Sequence, residues 1–77
     1  MFKELVEYLV KSLVEYPEQV SVEVNEEPTG MTLHLHVAPG DLGRVIGKQG
    51  RTARAIRTLL HAMAARVQQR VTLQIVE

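Results

Sequence analysis

The sequence predicts an α+β fold: one mixed, three-stranded sheet covered on one face by three helices, in the order helix, strand, strand, helix, helix, strand. Three observations lead there. Apolar residues recur at three- and four-residue steps over 2–16 and again over 51–66, the period of a helix with one buried face. They alternate every second residue over 20–37 and 71–75, the period of a half-buried strand. The stretch between Val37 and Val71 holds two helical segments, enough for a crossover, so the last strand lies parallel to the second with a right-handed connection.

In the first helix, Phe2, Leu5, Val6, Leu9, Leu13 and Tyr16 gather on one side, opposite Lys3, Glu4, Glu7, Lys11 and Glu15. Glu7 and Lys11 form an i, i+4 pair in the favoured order, and Pro17 stops the helix. A membrane-surface helix needs a cationic polar face; this one is mostly acidic, so core packing fits it better. Val20, Val22 and Val24 then alternate with polar residues, as do Met31, Leu33, Leu35 and Val37, and Glu26-Glu27-Pro28-Thr29-Gly30 turns one strand into the other. Ala38-Pro39-Gly40-Asp41 breaks the strand and opens a short helix, with Leu42, Val45 and Ile46 on its apolar side. Ala53, Ile56, Leu60, Met63 and Val67 mark the buried stripe of the helix over 51–66, with Arg51, Arg54 and Arg57 on the opposite side. Val71, Leu73 and Ile75 form the last strand.

The chain pivots on Val45-Ile46-Gly47-Lys48-Gln49-Gly50-Arg51, two glycines enclosing a polar pair between two helices. Glycine admits left-handed backbone and lets a ligand approach the main chain. A tight turn at the start of a helix aims N–H groups outward, where the helix dipole favours an anion. Lys48 and Arg51 are cations at the end of a helix that disfavours them, which points to an external negative charge. Gly-x-x-Gly by itself is a weak signal, and a nucleotide-binding P-loop is excluded: only three residues separate Gly43 from Gly47, and Lys48 is followed by Gln49 instead of a hydroxyl residue.

Charge reinforces the reading. Up to Asp41 the chain has eight acidic and two basic residues, net −6; from Leu42 it has one acidic and seven basic, net +6. Arg44, Lys48, Arg51, Arg54 and Arg57 crowd the glycine loop with no carboxylate among them, the footprint of a polyanion site. Seventy-seven residues fit one domain, 1–77, which buries only about 60% of its unfolded surface and gains from a partner. No cysteine, no apolar run near 20 residues and no signal-peptide pattern lead to the expectation of a cytoplasmic chain.

Catalysis finds no candidates. The serines are Ser12 and Ser21, the carboxylates lie almost wholly in the N-terminal half, and the loop region has no general base. His34 and His36 share the solvent face of a strand, but a zinc site needs further ligands at a compatible spacing, so neither metal nor cofactor is expected.

KELVEYLVKSLVEYPE, VAPGDLGRVIGKQGRTARAIRTLL and VTLQIVE together resemble a KH domain of the bacterial type II arrangement, and more narrowly the KhpA family of stand-alone bacterial KH proteins, over nearly the whole chain. The middle segment is the specific one; Gly40 departs from the helix-favouring residue that would be ordinary there. The resemblance implies a single-stranded RNA-binding protein, an RNA chaperone or post-transcriptional regulator. It also implies pairing with KhpB, a larger KH-containing partner, and a link to cell shape and cell-wall growth. On this sequence the RNA contacts would be Gly47, Lys48, Gln49, Gly50 and Arg51, flanked by Arg44 and Arg54, with Val45, Ile46 and Ala53 as an apolar floor. The alternative class is a structural adaptor that dimerises through the helix over 51–66 and binds no RNA. Beside the buried stripe that helix carries Ala55, Thr58, Leu59, Ala62 and Ala65, edged by Arg66, small side chains that let a second helix, from another copy or a KH partner, approach closely.

Overall fold

The computed structural model describes residues 1–77 as α1 (Phe2–Lys11), β1 (Ser21–Glu27), β2 (Gly30–His36), α2 (Leu42–Ile46), α3 (Arg51–Arg66) and β3 (Val71–Ile75), with single 3₁₀ turns at Pro17–Gln19, Pro39–Asp41 and Lys48–Gly50. The sheet order is β1-β2-β3. β1 and β2 are antiparallel, with Val22 opposite Leu35, and β3 runs parallel to β2, with Leu73 opposite Leu33. The expected mixed sheet and crossover are therefore both present.

Alternation decides which face is covered. Val22, Leu33, Leu35, Val71 and Leu73 are buried, and they meet Phe2, Val6 and Val10 of α1, Val45 of α2, and Ile56, Leu60 and Ala64 of α3 in one cluster. Leu33, Leu35 and Leu60 are fully buried; cutting such a leucine back to alanine typically costs about 2–5 kcal/mol. The polar residues between them, among them Glu23, His34 and Gln74, form the other face of the sheet, where His36 Nε2 stands 2.6 Å from Glu23 Oε1.

α1 is shorter than the periodicity suggests, ending at Lys11 instead of running on to Tyr16. Ser12 Oγ donates to the Tyr8 carbonyl, the local competition that ends or bends helices. Beyond it the Glu15 and Tyr16 N–H groups donate to Asp41 Oδ1 and Oδ2, each at 3.0 Å. Leu13 and Tyr16 are in consequence 43% and 44% exposed, and Val10 takes a place in the buried stripe. Glu4 closes the first turn onto the terminal ammonium at 2.8 Å, and that hydrogen bond holds its carboxyl below the usual range.

Three further expectations shift. The hairpin ladder continues to the pair Glu27–Gly30, so the turn is only Pro28-Thr29. Val24 is 40% exposed, on the edge strand beside a shallow depression that it lines with Phe2, Glu4 and Met31. Val67 lies past the end of α3, where Gln68 turns to positive φ, and Ala64 fills the stripe instead.

Asp41 is the single buried charged residue, 1% exposed, and its side chain does not cap the helix it precedes. It ties the segment leaving α1 to the start of α2. Replacing Asp41 with alanine strips both N–H groups of their acceptor, and an unpaired donor costs about 1–3 kcal/mol, less where water reaches it. Asp41→Ala is expected to lose about 1–3 kcal/mol in urea unfolding, seen as a lower midpoint at unchanged slope.

Candidate nucleic-acid interface

Gly47 ends α2 with φ 78°, ψ 171°, a combination open in practice only to glycine. Its N–H closes the helix on the Gly43 carbonyl at 2.8 Å. Lys48, Gln49 and Gly50 then make one 3₁₀ turn in which Gln49 has φ 57° and Gly50 φ 74°, two successive left-handed residues. Such a turn puts neighbouring N–H groups on one side of the main chain.

Their partners can be followed one by one. Gly50 N–H donates to Gly47 O at 3.1 Å and Arg51 N–H to Lys48 O, so these two, expected at the ligand, are used inside the turn. Lys48 and Gln49 N–H have no acceptor in the chain. The donors left for an anion are thus the pair at the tip, directly before the 16-residue helix α3 whose dipole adds to them.

Cations surround the tip unequally. Lys48, Arg51 and Arg54 are exposed and have no carboxylate partner, and Arg51 only leans toward Gln49 Oε1 at 3.5 Å. Arg44, one turn before the loop, has Nε 3.4 Å from Asp41 Oδ1, so part of its charge is answered within the fold. Arg57 does not share the open side of α3 as expected: it is partly buried, and its Nε donates to the Leu73 carbonyl at 3.3 Å.

The apolar floor needs correction. Val45 and Ala53 are 0% and 3% exposed, so they support the loop from beneath, and of the expected trio only Ile46 reaches the surface in part. The short helix turns Val45 inward because its other faces carry Gly43 and Arg44, both exposed. On the solvent side of α3, Arg51 and Arg54 border a shallow depression formed with Ala55, Thr58, Leu59 and Ala62, in which Leu59 is 41% exposed. Arg66 is exposed at the end of the same helix. No group of three or more His, Cys, Asp or Glu side chains converges to hold a metal ion, and no helix is long and apolar enough to cross a membrane.

Sequence reasoning missed two residues. Asp41 binds N–H groups 25 and 26 positions away, which leaves no local signal. Arg57 did leave one: it follows buried Ala53 by four residues, which sets it on the shoulder of the buried stripe.

A helix, a hairpin, two helices joined by a Gly-x-x-Gly turn, and a strand parallel to the hairpin's second strand together define an α+β KH domain of the type II order. The profile described as KhpA/KhpB, KH domain, matches residues 3–75, and the chain belongs to that family. Relatives bear the name RNA-binding protein KhpA. The protein from Listeria monocytogenes is 45% identical over 75 residues, 97% of this chain and 99% of the relative. The one from Borreliella burgdorferi is 47% identical over 74 residues, 96% and 90% of the two chains. Among solved structures, Aquifex aeolicus Era superposes with a TM-score of 0.64 at 20% identity, over 96% of this chain and 29% of that one, a likeness of fold.

The two loop glycines differ in why they are glycine. A Cβ at position 47 would overlap Thr52 Oγ1 and stand 2.7 Å from Thr52 Cβ, whereas one at position 50 would meet nothing within 4 Å. Gly50→Ala is expected to cost about 1–2 kcal/mol for its left-handed backbone, with Gly50→Asn milder. Gly47→Ala should cost more than either, since it adds collision to conformation; thermal and urea unfolding of the three variants checks the ranking.

Proposed function

We propose that the chain is a single-stranded RNA-binding module in which the Gly47–Gly50 turn holds the phosphate backbone. The observation that carries this is the pair of unpartnered N–H groups at Lys48 and Gln49, ringed by cations that have no carboxylate of their own. Phosphate oxygens fit these donors, Lys48 and Arg51 add charge, and Arg54 and Arg44 extend the field along both helices. Gly47 and Gly50 bring the main chain close, and Ile46 gives an apolar edge over the support of Val45 and Ala53. The relatives' name supports RNA as the polyanion. A KH loop clamps about four nucleotides.

The family resemblance carries the proposal further, to an RNA chaperone or post-transcriptional regulator in the bacterial cytoplasm, acting with a KhpB-like partner in cell-shape and cell-wall homeostasis. Self-association or pairing with that partner belongs to the strip of Ala55, Thr58, Leu59 and Ala62, edged by Arg66. A half-exposed leucine among small side chains supports it, because a second helix seated there removes apolar area from water without a steric barrier. Two loops on one particle then act on the same RNA at raised effective concentration.

Lys48→Asp with Gln49→Asp sets two carboxylates against the phosphates and leaves the core untouched. The double variant, shown folded by circular dichroism, is expected to lose RNA binding; affinity equal to the parent's overturns the assignment. With about three phosphates engaged, the parent's log K should fall against log salt with a slope near −2. Leu59→Glu is expected to abolish association seen by light scattering at high concentration, and a variant that associates like the parent removes the interface.

A further inference from the structure

Among the seven cations of the C-terminal half, Arg57 is the one whose guanidinium is fixed to the main chain. It rises from the shoulder of α3, two turns beyond the glycine loop, and reaches the outer edge of the sheet. β3 is an edge strand. Met31 N–H to Arg70 O and Val76 N–H to Leu35 O, at 2.8 and 2.9 Å, bracket its ladder with β2. By the alternation of a parallel ladder, the Leu73 carbonyl therefore faces away from the sheet, where Arg57 Nε takes it at 3.3 Å. No carboxylate answers the charge, and the Nη groups have no acceptor in the chain.

We infer that Arg57 is a specificity-determining residue that reads one base of the bound strand, with guanine as the base it favours. The inference rests on the RNA-binding reading of the loop. An exposed, mobile cation follows a phosphate wherever it lies, as suits Lys48, Arg51 and Arg54. A guanidinium held at Nε offers its two Nη groups as a fork of fixed direction, which is of use against two adjacent acceptors in a plane. The O6 and N7 atoms of guanine are such a pair; adenine presents a donor in place of O6 and mismatches the fork. Arg57 follows Arg54 and Arg51 at three-residue steps, so a backbone held by those two and by the loop tip runs along α3 with its bases toward the β3 edge. α2, α3 and β3 carry no Phe, Tyr or Trp on which a base could stack, and the Arg57 fork is the hydrogen-bonding group held in a fixed direction in that lane.

The experiment compares an oligouridine of six nucleotides carrying one central guanosine with the same strand carrying adenosine or 7-deazaguanosine, titrated against the parent, Arg57→Lys and Arg57→Gln. The parent is expected to prefer guanosine about tenfold, the discrimination of one bidentate arginine contact. Arg57→Lys keeps the charge and loses the fork, so the preference should fall to within about twofold while the salt slope stays within about half a unit of the parent's. Arg57→Gln should lose the preference as well, and circular dichroism shows whether each variant keeps its fold. A parent that binds every strand equally well, or an Arg57→Lys variant that still prefers guanosine, overturns this assignment alone. A slope lower by about 0.7 in Arg57→Gln with the preference unchanged makes Arg57 a phosphate contact and also overturns it. A parent that binds none of the strands overturns the RNA-binding reading itself, and this assignment with it.

Discussion

One buried carboxylate fixes the part of the chain that carries the glycine turn. Asp41 ends the approach to α2, and by accepting from Glu15 and Tyr16 N–H it pins that point against the segment that leaves α1. α2 is only five residues long, too short to hold its own direction in water, and it is placed by what grips its two ends. At one end stands Asp41. At the other, Gly47 packs so closely on Thr52 that no side chain fits between them. Val45, fully buried between the two grips, is the single apolar bolt into the core. The direction of the glycine turn is therefore set by one ionic hydrogen-bond pair, one backbone contact and one valine.

The same arrangement explains why the turn has donors to spare. A helix running straight from α2 into α3 would use every N–H internally, and the left-handed pair Gln49-Gly50 prevents this. Left-handed backbone at a residue with a side chain costs about 1–2 kcal/mol, so the fold stores a little strain at Gln49 where it keeps Lys48 and Gln49 N–H free. Strain held beside unused donors is the pattern of a site prepared before its ligand arrives.

Much of this was legible in the residues. Period 3.6 over 51–66 placed α3 to the residue, because a 16-residue stripe outweighs local preference and Gly50 marks its start. The alternation in β2 and β3 predicted the buried set, since a register slip would expose every leucine at once. Failures came where a distant group competed with a local pattern. Leu13 and Tyr16 continue the period of α1, but Asp41 supplies acceptors that the helix would otherwise provide, and the chain leaves the helix for them. Nearness in sequence to the loop makes Val45 and Ala53 look like groove lining, whereas a five-residue helix has only one side to bury and Val45 is on it. Glycine spacing announces a turn without saying which of its amides the turn consumes, and here it consumes those of Gly50 and Arg51.

The neutral net charge is the sum of two edges that act differently. α1 packs on β1 at one edge of the sheet and α3 on β3 at the other, so the division of charge along the sequence becomes a division across the molecule. A polyanion approaching from the α1 side meets Glu7, Glu15 and Glu23; from the α3 side it meets Arg51, Arg54 and Lys48. At physiological salt the Debye length is about 8 Å, shorter than the 22 Å middle dimension of the domain, so each edge presents its own field instead of the average. The acidic edge turns a polyanion toward the glycine turn and discourages a second strand from settling along β1. A domain with no net charge thus orients a polyanion at short range, and salt weakens that orientation at both edges.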